Sequence, residues 1–335
     1  MMLNLSEPKK MLLCGPCVLM SALCALGVLL ISGVQAQPIS GKTIRIVVPY
    51  APGAVQDTIA RSVNAELGTA LKANVIVENR PGAGGTIGTA QVARSAADGT
   101  TLVLAAASHT IAGSLYAKLA YDPIRDFSGA AHIGNAGYVL MVHADVPARN
   151  LAEFVGYAKA NPGKLNYASA GNGSATHLSM AYFASMAGID AVHVPFKATG
   201  EAVNEVLAGR AQAVISASIG AIAFAKDSRV RLLGTTGPQR SRFFPELPTI
   251  SEAGIAGYTF DSWMGLLAPA STPRPLLEQI NQAMARLLKD PVILERLQKQ
   301  GVEPQPLSVE AFDQLLRTDA ERMSRVVKAS GARID

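Results

Sequence analysis

Residues 43–57 read TIRIVVPYAPGAVQD, a strand pattern that runs into a turn and then towards a helix. Thr43 to Pro49 is a β-branched run typical of a buried strand, and it leads into the turn residues Pro52 and Gly53. Apolar spacing over Ala60 to Leu71 then predicts a helix. A buried strand, a turn and a helix in this order form the repeating unit of α/β folds.

The same unit recurs along the chain in two groups. Further strands are predicted at Asn74–Glu78, Thr100–Ala106, Lys164–Ser169, Ala191–Phe196 and Ala211–Ser216. Helices are predicted at Thr86–Arg94, Leu151–Ala160 with Asn150 as its cap, Ala175–Ala187, Glu201–Ala208, and from Pro273 onward with breaks at Asp290-Pro291 and near Pro304 and Pro306. Short strands alternating with helices predict parallel sheets covered on both faces, so the expected fold class is α/β with two lobes.

Two segments between the groups are candidate crossing strands, Ile133–His143 and Val230–Thr235. If the chain crosses twice, the first lobe is discontinuous and comprises residues 37–141 and 232–335, and the second comprises residues 142–231. Ligands of open α/β sheets bind at the carboxyl ends of the strands, so a cleft between the lobes is the expected site.

The first 36 residues have the pattern of a secretory signal peptide. Lys9 and Lys10 precede an apolar run from Met11 to Ile31, and Val34-Gln35-Ala36 resembles a cleavage site. We therefore expect cleavage near Ala36 and export to the periplasm. A retained membrane anchor is the alternative, because a run of about 20 apolar residues could also span a bilayer.

Cysteine usage and charge exclude several classes of protein. All three cysteines, Cys14, Cys17 and Cys24, lie in the predicted leader, so the remainder has no disulfide, thiolate nucleophile or cysteine-ligated metal. The net charge is +5, of which the leader carries +1, leaving +4. The cations are scattered along the chain, which argues against a nucleic-acid-binding surface.

Three turns between a predicted strand and a predicted helix are rich in small residues. They are residues 49–57 (PYAPGAVQD), 79–86 (NRPGAGGT) and 169–177 (SAGNGSATH). Free N–H groups at a helix N-terminus bind anions without any Arg or Lys, so each turn could hold a carboxylate. The alternative for each is that glycine only allows a tight turn.

An exported hydrolase is the rival class. It needs a nucleophile, a base and an orienting group within reach of one another. Ser174 and His177 are three residues apart at a predicted helix start, and a helix cap or ligand-binding pair fits this spacing better than a catalytic pair. The histidines lack the i, i+4 spacing of a metal site. We therefore expect no catalytic residue, metal or cofactor.

Seven segments carry a recognisable pattern and run in order across the chain after the leader. They are residues 44–53 (IRIVVPYAPG), 77–88 (VENRPGAGGTIG), 121–127 (YDPIRDF), 166–178 (NYASAGNGSATHL), 193–197 (HVPFK), 244–254 (FPELPTISEAG) and 263–273 (WMGLLAPASTP). These segments resemble the substrate-binding proteins of tripartite tricarboxylate transporters, known as the Bug family.

The resemblance implies a type II periplasmic binding-protein fold, with two lobes, a ligand cleft and crossing hinge strands. It also implies a receptor that captures a small carboxylate (a di-, tri- or aromatic carboxylic acid) and delivers it to the permease subunits of a membrane transporter. A periplasmic protein that signals to a membrane sensor is the alternative. A monomer is expected, because a receptor of this kind closes around its ligand.

Ligand-binding residues are carried over by position from the family pattern. Tyr50 follows the first strand and could cover the cleft. The other expected contacts are Ala51, Gly53, Ala54, Gly84, Gly85, Thr86, Ser108 and His109 in the first lobe, and Gly171, Gly173, Ser174, Thr176, Phe196, Lys197, Ala198, Thr199 and Ser216 in the second.

The chain departs from the family pattern at three of these positions. Ala54 replaces the second glycine of Pro-Gly-Gly, and would be strained if its φ had to be positive. Phe196-Lys197-Ala198 replaces Tyr-Lys-Gly, which removes a hydroxyl group. Ser216 stands where many members have Asp, which disfavours ligands that carry an ammonium group.

Overall fold

The computed structural model describes residues 39–330 of the 335-residue chain. These residues lie within one compact unit. Helices in this range are all too short or too polar to cross a membrane. The predicted signal peptide, residues 1–36, lies outside the described residues.

The secondary structure alternates between strands and helices, as the sequence predicts. The first part contains β1 (Thr43–Val48), α1 (Val55–Leu71), β2 (Asn74–Asn79), a 3-10 turn (Ala83–Gly85), α2 (Thr86–Ala93), β3 (Thr101–Ala106), α3 (Ser108–Leu115), β4 (Phe127–Ala136) and β5 (Tyr138–His143). The middle part contains α4 (Leu151–Ala160), β6 (Leu165–Ser169), α5 (Ala175–Ala187), β7 (Ala191–Pro195), α6 (Thr199–Leu207), β8 (Ala213–Ala217), α7 (Ser218–Ala221), a 3-10 turn (Ile222–Phe224) and β9 (Val230–Thr235). The last part contains β10 (Ser262–Pro269), α8 (Arg274–Leu287), α9 (Pro291–Lys299), β11 (Glu303–Pro304) and α10 (Val309–Ser330).

Two separate sheets form from these strands. The first has the order β11-β4-β10-β3-β1-β2, with β1 parallel to both β2 and β3, and with β10 antiparallel to β3 and β4. The second has the order β7-β6-β8-β5-β9, with β6 parallel to β7 and β8, and with β5 antiparallel to β8 and β9. Two mixed sheets flanked by helices confirm the predicted α/β class.

The chain passes between the sheets at two places. A single residue, Gly137, separates β4 of the first sheet from β5 of the second. The return passes through residues 236–261, between β9 and β10. Val230–Thr235 was predicted to cross, but it pairs along its length with β5 inside the second sheet. We therefore propose lobe boundaries near Gly137 and just after Thr235, instead of 141/142 and 231/232.

The C-terminal helix contributes to two hydrophobic cores. Near its start, Phe312 packs in the core of the first sheet with Trp263, whose side chain is fully buried. Near its end, Met323 lies in a second core that contains Phe183 of α5 and Tyr258. Fully burying an apolar side chain of this size contributes about 1.5–3 kcal/mol, so α10 stabilises both halves of the molecule.

Candidate ligand-binding cleft

The first turn is closed by an acidic residue of its own helix. Helix α1 begins at Val55, five residues before the predicted start, and places Asp57 in its first turn. The Asp57 carboxylate accepts hydrogen bonds from the Gly53 N–H at 2.9 Å and from Asn79 Nδ2 at 2.9 Å. It also accepts a hydrogen bond from Arg61 Nε at 3.0 Å. Burial raises the pKa of Asp57, but these hydrogen bonds outweigh it and hold the pKa below its usual value.

The backbone conformation of this turn shows whether Ala54 is strained in place of the family's second glycine. Gly53 has a φ of +84°, whereas Ala54 has a φ of −63° and a ψ of 157°, an extended conformation that any residue adopts. The turn therefore needs glycine at position 53, and Ala54 is not strained. The Ala54 N–H donates to the Ala51 carbonyl, so the N–H groups of both Gly53 and Ala54 are used within the turn.

Two backbone N–H groups at the start of α1 remain available to bind a ligand. In the part of the chain that the structure describes, the N–H groups of Val55 and Gln56 have no hydrogen-bond partner. They belong to the first turn of a helix of 17 residues, where unpaired N–H groups are expected. These two amides were not among the predicted contacts, because the predicted helix began at Ala60.

The second turn is held by four successive residues with positive φ: Gly82 at +136°, Ala83 at +46°, Gly84 at +65° and Gly85 at +96°. The Ala83 carbonyl accepts hydrogen bonds from the hydroxyl groups of Thr86 and Tyr116. A Cβ on Gly84 would lie 2.3 Å from the Tyr116 hydroxyl oxygen, so a side chain at this position would have to displace the Tyr116 ring.

The two predicted residues after β3 have different roles. The Ser108 hydroxyl lies 2.8 Å from the Tyr50 hydroxyl, and the two form a hydrogen bond. His109 is buried; its Nε2 donates to the Pro123 carbonyl at 2.7 Å, and its ring packs edge-on against Phe127. Burial lowers the pKa of His109 to about 4, so the ring is neutral at pH 7. Ser108 therefore faces the candidate site, whereas His109 packs in the core behind it.

The third turn is held by its own side chains. Ser174 caps α5 by accepting the His177 N–H, and Thr176 Oγ1 accepts the Ala170 N–H at 2.8 Å. His177 Nδ1 accepts the Gly173 N–H at 3.1 Å. The Ser174 hydroxyl is thus bonded to the backbone of His177 and not to its ring, which is the geometry of a helix cap and not of a nucleophile with its base.

The other predicted contacts of the second lobe lie in β8 and around the start of α6. Phe196 packs, half-buried, against the core beside α6, and Lys197 and Ala198 are exposed at the start of that helix. Thr199 is the first residue of α6, and Ser216 is buried in β8.

A cavity of about 240 Å³ brings several of the predicted residues together. Tyr50, Gly84 and Ser108 line it from the first sheet's side, and Gly173 lines it from the third turn. The predicted residues Ala51, Gly53, Ala54, Gly85, Thr86, His109, Gly171, Ser174, Thr176, Phe196, Lys197, Ala198, Thr199 and Ser216 do not line it. Both sheets thus contribute to one cleft, but with fewer residues than predicted.

Most of the residues that line this cavity were not among the predicted contacts. The additional polar or aromatic residues are Gln56, Tyr116, Tyr138, Phe260, Asp261 and Ser262. Tyr138 follows the crossing residue Gly137, and Phe260 to Ser262 directly precede the recognised segment at Trp263. Their position along the chain could have indicated them, because residues at the points where a chain crosses between two lobes form the floor of the cleft.

A second cavity, of about 190 Å³, lies beside the first and shares Tyr138 and Asp261 with it. Its other lining residues include Arg240, Arg242 and Glu303, and none of the predicted contacts. Among the described residues, no group of three His, Cys, Asp or Glu side chains is placed to hold a metal ion. The cleft that contains the predicted residues is therefore the candidate site.

Comparison with known proteins agrees with this architecture. The sequence profile described as "Tripartite tricarboxylate transporter family receptor" matches residues 59–332. A UPF0065 protein from the tcbD-tcbE intergenic region of Pseudomonas sp. (strain P51) is 32% identical over 287 residues, covering 85% of each chain.

Solved structures of similar proteins share the fold. The periplasmic binding protein BugD is 30% identical, with a TM-score of 0.65 over 87% of this chain and 98% of its own. A TctC solute binding protein from Polaromonas, without ligand, is 25% identical, with a TM-score of 0.79 over 86% of this chain and 98% of its own. MatC from Rhodopseudomonas palustris, with bound malate, is 31% identical, with a TM-score of 0.64 over 85% of this chain and 99% of its own. With its two sheets, its cleft and these matches, the chain belongs to the family of tripartite tricarboxylate transporter receptors, the Bug proteins, and has their two-lobe periplasmic binding-protein fold.

Proposed function

We propose that the chain is an exported receptor that captures a small carboxylate in the cleft and passes it to the permease subunits of a tripartite tricarboxylate-type transporter. The observation that carries the proposal is the composition of the cleft. Gln56 at the start of α1 and Gly173 of the third turn line the same cavity, so both halves of the molecule can contact one ligand.

The start of α1 supplies the carboxylate-binding groups. The unpartnered N–H groups of Val55 and Gln56 lie at the end of a helix that carries roughly half a positive charge in effect. A carboxylate that accepts hydrogen bonds from such groups gains about 1.5–3 kcal/mol from each. The neighbouring Tyr50 and Ser108 hydroxyls add neutral donors on the same wall.

Similar proteins support both the ligand class and the location. MatC, one of the matching structures, has bound malate, a carboxylate, and BugD is described as periplasmic. The basic and apolar leader at residues 1–36 supports export of this chain. We expect the exported protein to act as a monomer, because closure around a ligand requires no second copy.

We expect the hinge of this receptor at Gly137 and within residues 236–261, because the chain passes between the two sheets at these places.

A proline substitution tests the role of α1 directly. Val55 is the first helical residue and is exposed, and Ala54 before it has the extended conformation that a following proline requires. Val55→Pro should therefore keep the helix while removing one N–H group. We expect carboxylates to bind roughly 10- to 100-fold more weakly, because one charge-assisted hydrogen bond is lost.

The matched control is Val55→Ala, which shortens the side chain but keeps the N–H group. Arg242→Ala is a second control, since Arg242 lines only the neighbouring cavity. Binding is measured by calorimetry on protein that has been unfolded and refolded to remove carried-over ligand. Equal affinity in Val55→Pro and Val55→Ala would refute the role of the α1 amides.

The transport role has a separate test. A cell that lacks the permease subunits should no longer take up the carboxylate, although the purified receptor still binds it. Turnover of the bound acid by the purified protein alone would instead favour the hydrolase alternative.

A further inference from the structure

The wall of the cleft has an unusual chemical composition for a site that binds anions. The described residues that line it include four aromatic rings, from Tyr50, Tyr116, Tyr138 and Phe260, and none of them is Lys, Arg or His. The single carboxylic acid on this wall is Asp261. The cleft can therefore enclose a flat apolar body, but no cationic side chain on its wall neutralises a second ligand charge.

Asp261 belongs to a buried group of two acids and one base. Arg322 lies 3.7 Å from the Asp261 carboxylate and makes its close ion pair with Asp319 instead. Asp319 also accepts hydrogen bonds from Trp263 Nε1 at 2.8 Å and from Thr110 Oγ1. The Arg322 guanidinium thus interacts with both carboxylates, and its interaction with Asp261 is the weaker of the two.

The environment of Asp261 favours a hydrogen-bond donor in the cleft. Burial raises its pKa to about 6, with Arg322 opposing the shift and the charge of Asp319 adding to it. Above that pH the group of three carries one net negative charge. A donor from the ligand would satisfy this buried carboxylate, whereas a second ligand carboxylate beside it would meet electrostatic repulsion.

We propose, building on the proposed function, that the cleft selects an acid with one carboxylate, an apolar and preferably aromatic body, and a hydroxyl group that donates to Asp261. Gln56 lines the cleft at the start of α1, and its N–H group binds the carboxylate together with that of the preceding residue, Val55. The aromatic side chains pack on the body, and Asp261 accepts the donor. Di- and tricarboxylates are the disfavoured ligands.

Three acids that share one ring provide the test: 4-hydroxybenzoate, benzoate and terephthalate differ only in the group opposite the carboxylate. Calorimetry at pH 7.5 on the refolded, exported protein should rank them in that order of affinity. We expect 4-hydroxybenzoate to bind at least tenfold more tightly than terephthalate, and citrate to bind more weakly than all three. Terephthalate or citrate binding as tightly as 4-hydroxybenzoate overturns the proposal.

The variant Asp261→Asn tests the residue itself. Its amide can donate to a carboxylate, so the advantage of 4-hydroxybenzoate over terephthalate should fall at least tenfold or reverse. Asp227→Asn is the matched control, because this residue pairs with Arg229 ahead of β9 and does not line the cleft. An unchanged preference in Asp261→Asn overturns the role of Asp261.

The wild-type protein provides the same test without a substitution. Lowering the pH from 7.5 to 5.5 should protonate much of Asp261, whose pKa is about 6, and so reduce the preference for 4-hydroxybenzoate over terephthalate. A preference that is constant over this range counts against Asp261 even if Asp261→Asn does not fold. Failure of every carboxylate to bind would refute the proposed function as well, whereas strong binding of a di- or tricarboxylate would refute only its ligand class.

Discussion

At the scale of single residues, the first turn shows what a family pattern can and cannot predict. The family pattern Pro-Gly-Gly raises the question of strain at Ala54, but the positive φ falls on Gly53 and the extended conformation on Ala54. The sequence also could not reveal that Asp57 uses the Gly53 N–H, because this depends on where α1 begins. The individual ligand contacts expected in this turn therefore stay predictions.

Substitutions at these two positions should have unequal effects. Gly53→Ala forces a residue with a Cβ to a φ of +84° and should lower the free energy of unfolding by about 1–2 kcal/mol, although the Cβ meets no other atom within 4 Å. Ala54→Gly should cost less than about 1 kcal/mol, through unfolded-state entropy alone. Urea unfolding of both variants measures this, and an equal or larger loss in Ala54→Gly would contradict the assignment.

At the scale of helices and strands, local patterns predicted most boundaries well. Helix α5 spans Ala175–Ala187 as predicted, and α4 is capped by Asn150, whose side chain accepts the Glu153 N–H. The prediction that Val230–Thr235 crosses between the lobes was wrong, because this strand pairs with β5 inside the second sheet. The residues of a strand do not encode which sheet it joins. The 236–261 segment has no regular element to signal it, yet it supplies Phe260 and Asp261 to the cleft.

The end of α10 is predicted to stabilise the second core. Met323 is 1% exposed and packs with Phe183 and Tyr258, so Met323→Ala should lower the free energy of unfolding by about 2–5 kcal/mol. Glu321→Ala, an exposed position on the same helix, is the control and should stay within about 0.5 kcal/mol of the wild type. Similar losses in both variants would show that helix propensity, not packing, holds α10 in place.

At the scale of the whole molecule, buried histidines link stability to pH. Burial lowers the pKa of His109, His132 and His177 to about 4, and the charge of His193 adds to the effect on His177. Between about pH 6.5 and pH 4 the unfolded chain binds protons that the folded protein does not, so stability should fall as the pH is lowered through this range. The pKa of Asp261 is raised to about 6, so this group instead increases stability as the pH falls from about 6 to about 4. The three histidines together have the larger effect, because each contributes a shift of comparable size.

Lowering the pH from 7 to 5 should therefore reduce the free energy of unfolding by on the order of 2–4 kcal/mol. Chemical denaturation at both pH values measures the difference. His132→Gln should reduce this pH dependence, because it removes one of the three titrating rings. Stability that is constant or higher at pH 5 would mean that these histidines are not buried as the structure has them.

The central claim is that the cleft recognises a carboxylate through the amides at the start of α1. The most direct measurement is calorimetric titration of the refolded, exported protein with acids and with the primary amides of the same acids, which keep the shape but lose the charge. The account predicts that at least one acid binds ten or more times tighter than its amide. Acids and amides that bind equally, or a folded protein that binds none of either, would contradict it.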